Sequence, residues 1–323
     1  MTSPKPEVVF IMTGDLRTWR LFGAAAQSFG SIQNPTIPMK INSPLWMLPV
    51  PMVILATATV RADEQFLGFT RGAETLPSGR SLLYQFMTLR TGKAEGSYYG
   101  ADFQTEIQHG FTDKFQASLS IVQHYFNIHG VNGDRDALND QDNYRFGGVI
   151  ESAKYRVLST FEDPLGLALR LETGYLFHDA VSGLREHEFY VAPELDLQKD
   201  FRDDTVIFVL NLSPQWAWGQ EPAAQYRELA LQSAAGMVYR FAPNWYVGAE
   251  ATLRAEYPDF DLNNFEHVVV YAGPSLHYSA KRWWITLTWV YQAWGNGVGE
   301  PADGKTYKEE TGQQIRLKVG FNF

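Results

Sequence analysis

The sequence predicts an all-β chain closed into a transmembrane, antiparallel, up-and-down β-barrel of about twelve strands, with ten or fourteen as the neighbouring possibilities. Three observations carry this expectation. Apolar and polar residues alternate with period two over segments of roughly ten residues. The connections between those segments are alternately tight and long, and aromatic side chains gather near both segment ends, as in a barrel crossing an outer membrane. Of 323 residues, 27 are Lys or Arg and 36 are Asp or Glu, a net charge of −9 that argues against a nucleic-acid partner. The chain has no cysteine, which excludes disulfides and thiolate metal sites. No apolar run beyond residue 62 is long enough for a membrane helix.

The N-terminal part reads as an address. Lys40 is followed by the apolar stretch Leu45–Ala56, too short to span a bilayer and interrupted by Pro49 and Pro51, and then by small residues at Val60 and Ala62. Charge, apolar core and small-residue exit in that order form a secretory signal peptide at 39–62, with the mature chain starting near Asp63. Residues 1–38 have no clear periodicity and read as an overcalled start or an extended n-region. Residues 63–79 form a periplasmic leader or a plug segment, and 80–323 the barrel.

Strands are expected at 82–90, 99–108, 115–121, 144–157, 167–177, 188–198, 205–215, 229–240, 245–256, 267–278, 283–292 and 314–323. In the second, Tyr99, Phe103 and Ile107 point one way and Asp102, Gln104 and Glu106 the other. The apolar face must look out to lipid and the polar face inward, and the sheet must close, because an unpaired edge has no hydrogen-bond partner in hydrocarbon. The facing of 82–90 and 144–157 is ambiguous. Pro193, Pro214 and Pro274 cannot donate a ladder bond and are expected to mark bulges or strand ends. Phe111, Phe115, Phe201, Phe241, Trp245, Trp283 and Phe323 fall at the tight-turn end, and Tyr125, Phe177, Trp216, Trp218, Phe265, Tyr291 and Trp294 at the loop end.

The C-terminal run Gln314–Phe323, with Ile315, Leu317, Val319, Phe321 and a final Phe323, resembles the terminal assembly signal of Gram-negative outer-membrane barrel proteins. The stretch Phe69–Pro77 resembles the leader of an uncharacterised family of such barrels. The resemblance implies export, insertion by the barrel-assembly machinery, contact with outer-membrane lipid and lipopolysaccharide, and a closed antiparallel barrel. Twelve-stranded members of that group include both solute channels and lipid-hydrolysing enzymes, so it names no substrate.

The inward positions supply the candidate site. Glu106, Arg170, Glu172, Glu194, Asp196, Glu250, Arg254, Arg316 and Lys318 are expected to line a polar lumen. Hairpin register predicts Arg170 opposite Glu194 or Asp196, Glu106 opposite Ser118, and Gln104 opposite Ser120. These residues read best as a porin-like passage for small hydrophilic solutes. The alternatives are a closed structural barrel, plugged by its own charges or by 63–79, and an outer-membrane lipid hydrolase. For the hydrolase, His124 and His129 lie near the rim, but no nucleophile, base and orienting group assemble in the sequence. His178 and His187 flank one hairpin, though spacing alone does not make a metal site. No cofactor and no metal are expected.

Overall fold

Alternation with a lipid-facing apolar side leaves the backbone one way to satisfy itself, which is pairing every strand with two neighbours. The computed structural model describes residues 65–323 except 134, 135, 203, 223, 308 and 309; the signal at 39–62 and the stretch 1–38 lie outside the described residues. Twelve strands form the closed barrel: β1 (Ser81–Thr91), β2 (Ser97–Thr112), β3 (Phe115–His129), β4 (Gln141–Leu158), β5 (Gly166–His178), β6 (Arg185–Phe201), β7 (Val206–Gln220), β8 (Gln225–Ala242), β9 (Trp245–Pro258), β10 (His267–Ser279), β11 (Trp283–Gly297) and β12 (Gln313–Asn322). Each pairs antiparallel with the next, and β12 closes on β1 from Leu82 opposite Asn322 to Thr91 opposite Gln313. Ser81 and Phe323 exchange two backbone hydrogen bonds of 3.0 Å at the seam. A two-residue ribbon, Asn132–Gly133 with Asp136–Ala137, lies in the β3–β4 loop.

The faces point as the alternation requires. Leu119, Leu171, Leu287 and Trp289 stand exposed on the outside, whereas Glu106, Arg170, Asp196, Glu250 and Lys318 are buried inside. All seven turn-end aromatics expected in a girdle are exposed. At the loop end Trp218, Tyr291 and Trp294 are exposed, and Tyr125, Phe177, Trp216 and Phe265 are half-buried.

The two ambiguous strands have separate causes. In β1 the inward residues Leu82, Tyr84 and Phe86 are themselves apolar and pack on Leu76 and Trp284, so both faces read as greasy. In β4 a bulge against β3, between the pairs Val122–Gly148 and Gln123–Phe146, switches which parity faces inward. Glycines make that bulge possible: a Cβ on Gly147 would lie 2.4 Å from His124 Nε2, and one on Gly148 2.3 Å from the Tyr175 carbonyl oxygen.

Register bears out one pairing expectation and corrects two. Arg170 does oppose Glu194. Glu106, however, opposes Ser120 and not Ser118, and Gln104 opposes Val122, reaching Ser120 Oγ only diagonally at 3.0 Å. The β2–β3 ladder runs to Thr112 opposite Phe115 through a bulge at the turn, which shifts the whole hairpin by two residues. The prolines mark neither bulges nor ends. Pro193 and Pro214 lie within β6 and β7, where pairing lapses between Val191–Trp216 and Leu195–Leu212 without a change of register. The two residues lacking an N–H therefore face each other, and the Ser213 hydroxyl donates to the Pro193 carbonyl at 2.9 Å. Pro274 sits mid-strand opposite Ala249, and β10–β11 pairing lapses between Ala272 and Ser275.

Candidate functional site

The turn-side half of the bore is occupied by the chain's own segment 65–79. Glu250, inward on β9, accepts three consecutive backbone N–H groups, from Gly68 at 2.6 Å, Phe69 at 2.8 Å and Thr70 at 3.0 Å. Hydrogen bonds to an ionised acceptor contribute about 1.5–3 kcal/mol each. Asn211 both accepts from Arg71 N–H and donates to the Arg71 carbonyl, while Gln198 accepts from Ala73 N–H and Gln116 from Leu76 N–H. Lys318 donates to the Leu67 carbonyl at 2.9 Å and to Gln65, and Lys154 to the Gly72 carbonyl. Glu74 meets Arg156 at 2.6 Å and the hydroxyls of Ser159 and Thr160 in the β4–β5 turn. Gly68 and Gly72 permit this close approach, because a Cβ would lie 2.6 Å from Thr288 and from Gln198 respectively.

Apolar contacts complete the seating. Leu67 is buried with Ile207, Val209, Val238 and Tyr246, and Leu76 with Leu82, Tyr84, Phe86 and Trp284. Burying one such leucine stabilises by about 1.5–3 kcal/mol. Phe69 lies under the Arg316 guanidinium, 4.0 Å from its ring centre.

The loop-side half is different. A cavity of about 890 Å³ is floored by Gly68, Phe69 and Arg71 and walled by residues of β1, β2, β4–β10 and β12. Carboxylates crowd its upper wall, among them Glu186, Glu188, Glu228, Glu256 and Glu266, whereas Arg71, Arg316 and Lys318 lie at its base. The hydroxyl of Tyr226 donates to both Glu186, at 2.9 Å, and Glu188, at 2.7 Å.

The nine residues singled out in the sequence divide between these halves. Glu172, Glu194, Arg254, Arg316 and Lys318 line the cavity, and Glu106, Arg170, Asp196 and Glu250 do not. Glu106 takes amides from Gln104 and Gln108. Arg170 bridges Glu194 at 2.6 Å and Glu172 at 2.5 Å, and Arg71 of the inserted segment lies 3.6 Å from Glu172. Asp196, fully buried, faces Lys154 at 3.7 Å and Asn211 at 2.7 Å. Phe321 and Phe323 are exposed at the outer turn end.

Sequence reasoning missed Lys154, Gln198 and Asn211, the side chains that grip the segment. The one available signal was a leader without periodicity but with three glycines, facing a lumen that offers amides as well as charges. His124, His178 and His187 do not come together in a pair, whereas His109 Nδ1 lies 2.9 Å from the Ser81 hydroxyl at the turn end. His124 is buried with Nδ1 2.6 Å from Asp102, and its Nε2 has no hydrogen-bond partner, so no hydroxyl is poised there as a nucleophile. His178 contacts the Phe146 carbonyl oxygen at 2.9 Å, while His187 contacts the Tyr175 hydroxyl at 3.3 Å.

Comparison with solved structures gives the same architecture. The COG4313 outer membrane channel from Pseudomonas putida F1 is 12% identical, with 78% of this chain and 98% of that one covered and a TM-score of 0.54. The NanC porin is 12% identical over 74% of this chain and 98% of its own, with a TM-score of 0.47. LpxR from Salmonella typhimurium is 11% identical over 75% and 99%, with a TM-score of 0.42. At such identities the likeness is one of fold, an outer-membrane type of β-barrel. No curated protein matches the chain in sequence. Residues 59–323 match the family of unknown function DUF6662, and the chain belongs to that family.

Proposed function

We propose that the protein is an outer-membrane channel for small hydrophilic solutes, held shut by its own N-terminal segment. Solutes enter the loop-side cavity from outside the cell and pass to the periplasm when residues 65–77 leave the turn-side half. The carrying observation is the way that segment is held: consecutive backbone N–H groups rest on Glu250, and backbone carbonyls on Lys318, Lys154 and Arg316. Polar contacts of this kind exchange readily with water, so a departing segment leaves a wet, charged bore instead of a collapsed core. A barrel serving only as structure has no need for a cavity of about 890 Å³ above the closure. Export by the 39–62 signal and a periplasmic turn end belong to this reading.

Single-channel recording in planar bilayers tests it. The intact chain is expected to show rare, brief openings. A variant lacking residues 65–77 is expected to show a steady conductance at least tenfold larger in time average. A folded deletion variant that conducts no better than the intact chain overturns the reading.

A further inference from the structure

Connections at the end of a barrel normally run through water, because a buried carbonyl needs a donor. The β5–β6 connection, residues 179–184, turns inward instead. Three consecutive carbonyls on it each accept from a barrel side chain: Ala180 from Arg90 of β1, Val181 from Tyr98 of β2 at 2.8 Å, and Ser182 from Gln141 of β4 at 2.7 Å. The Val181 side chain packs on the buried cluster of Tyr98, Phe126, Ile128 and Val131. A connection between β5 and β6 is thus fastened to side chains of β1–β4.

The strap also holds its own shape. Asp179 Oδ1 accepts from the Ser182 N–H and from its hydroxyl, both at 2.6 Å, and the Gly183 N–H donates to the Asp179 carbonyl at 3.0 Å. Gly183 has a φ of 68°, and a Cβ there would lie 2.9 Å from Gln141 Oε1 and 3.0 Å from the Phe126 ring, so glycine lets the strap sit against β3 and β4. Arg90 is itself fixed by Asp102, which lies 2.6 Å from His124 Nδ1.

The two sides of the cavity mouth therefore differ. Asp179, Ala180, Val181 and Ser182 border the cavity on the β1–β4 side and are half-buried. At the β7–β8 connection Glu221, Ala224 and Arg227 border it and are exposed, so the cavity meets solvent there.

We propose that residues 179–184 are a size filter, a strap that covers the cavity over β1–β4 and confines entry to the β7–β8 side. Small solutes reach the whole cavity; bulky ones are kept from the part under the strap. The inference rests on the reading of the loop-side cavity as the entrance for solutes. Its test measures entry into the cavity alone, with segment 65–79 in place, so its failure is distinct from a failure of passage through the barrel.

Thiol labelling of the detergent-solubilised full chain tests it. Gln104 on β2 and Thr252 on β9, across the barrel, both border the cavity. Each is replaced by cysteine and labelled with fluorescein maleimide, and the rate is divided by that of the small N-ethylmaleimide at the same position. With the strap intact, this ratio is expected to be at least tenfold lower for Gln104→Cys than for Thr252→Cys. Adding Val181→Asp, which places a charge in the apolar cluster and expels the strap, is expected to raise the ratio at least tenfold at Gln104→Cys and less than twofold at Thr252→Cys. Tyr98→Phe combined with Gln141→Ala removes two of the three donors and is expected to raise it at least threefold at Gln104→Cys. Faster gel migration of unboiled samples checks folding, and the double variant carries the test should Val181→Asp fail it. Equal ratios at the two positions with the strap intact, or a ratio at Gln104→Cys that a folded release variant leaves unchanged, overturns the proposal.

Discussion

The turn-side and loop-side halves of this barrel share one set of strands and differ in what fills them. On the turn side, segment 65–79 and the inward residues form a close-packed interior in which Trp284, Tyr84, Leu67 and Leu76 are nearly inaccessible. On the loop side, the same strands enclose a cavity of about 890 Å³ lined by charges of both signs, with Glu186, Glu188, Glu228, Glu256, Glu266 and Arg254 on its upper wall. Strand number does not set the difference, since every strand passes through both halves. A length of chain with backbone amides to donate turns the lower half from pore to core. Above Gly68, Phe69 and Arg71, the segment residues that floor the cavity, the bore is open. Charged residues therefore carry opposite roles by level: Glu250 is a docking post, whereas Arg254, four residues along the same strand, faces the cavity.

Variants that break one half and spare the other sharpen this contrast. The largest effect on stability is expected at Lys154, which is 3% exposed and serves both Asp196 and the Gly72 carbonyl. Lys154→Met leaves Asp196 buried without its cation and is expected to cost about 3–5 kcal/mol, read as a lowered urea midpoint for unfolding in detergent. Leu287→Arg, on the outer face, is expected to cost about 2–4 kcal/mol because it places a charge in lipid near mid-height; unchanged stability in liposomes would mean this face does not meet hydrocarbon. Glu250→Gln keeps the side-chain shape but removes the charge under three N–H groups. It is expected to weaken seating of the segment by about 2 kcal/mol, roughly a thirtyfold gain in open fraction, read in single-channel records. Glu172→Gln, at the cavity wall, is expected to shift the ion selectivity of the open channel and to lower the unfolding free energy by about 1 kcal/mol, because it weakens a charge bridge to buried Arg170 that Glu194 still partly supplies.

The barrel was legible in the sequence because lipid imposes one rule on every strand, and Tyr99 to Ile107 or Trp283 to Tyr291 obey it throughout. Legibility failed where a local feature breaks the rule. The Gly147–Gly148 bulge changes parity inside β4, and β1 meets Leu76 of the inserted segment with apolar residues on its inner face as well as its outer one. The β2–β3 register slipped by two because a bulge at a turn leaves no mark on apolar alternation. The closure was the least legible feature. Residues 65–79 have no period, and Gly68, Arg71 and Ala73 find their partners 182, 140 and 125 positions away. Glu250 read as one more lumen charge because nothing in its neighbourhood tells a carboxylate that meets water from one that meets backbone.

The bore changes from open cavity to packed protein within a few residues of Glu250, and a chain without cysteine allows that boundary to be probed one thiol at a time. Thr70, 2% exposed, has its N–H on Glu250, and Thr252, two residues further along β9, borders the cavity. In liposomes, with a charged thiol reagent added on the loop side, Thr252→Cys is expected to react at least a hundredfold faster than Thr70→Cys. Deleting residues 65–69 from the Thr70→Cys variant is expected to remove most of that difference. Equal reaction rates at the two positions in the otherwise intact chain would contradict the account.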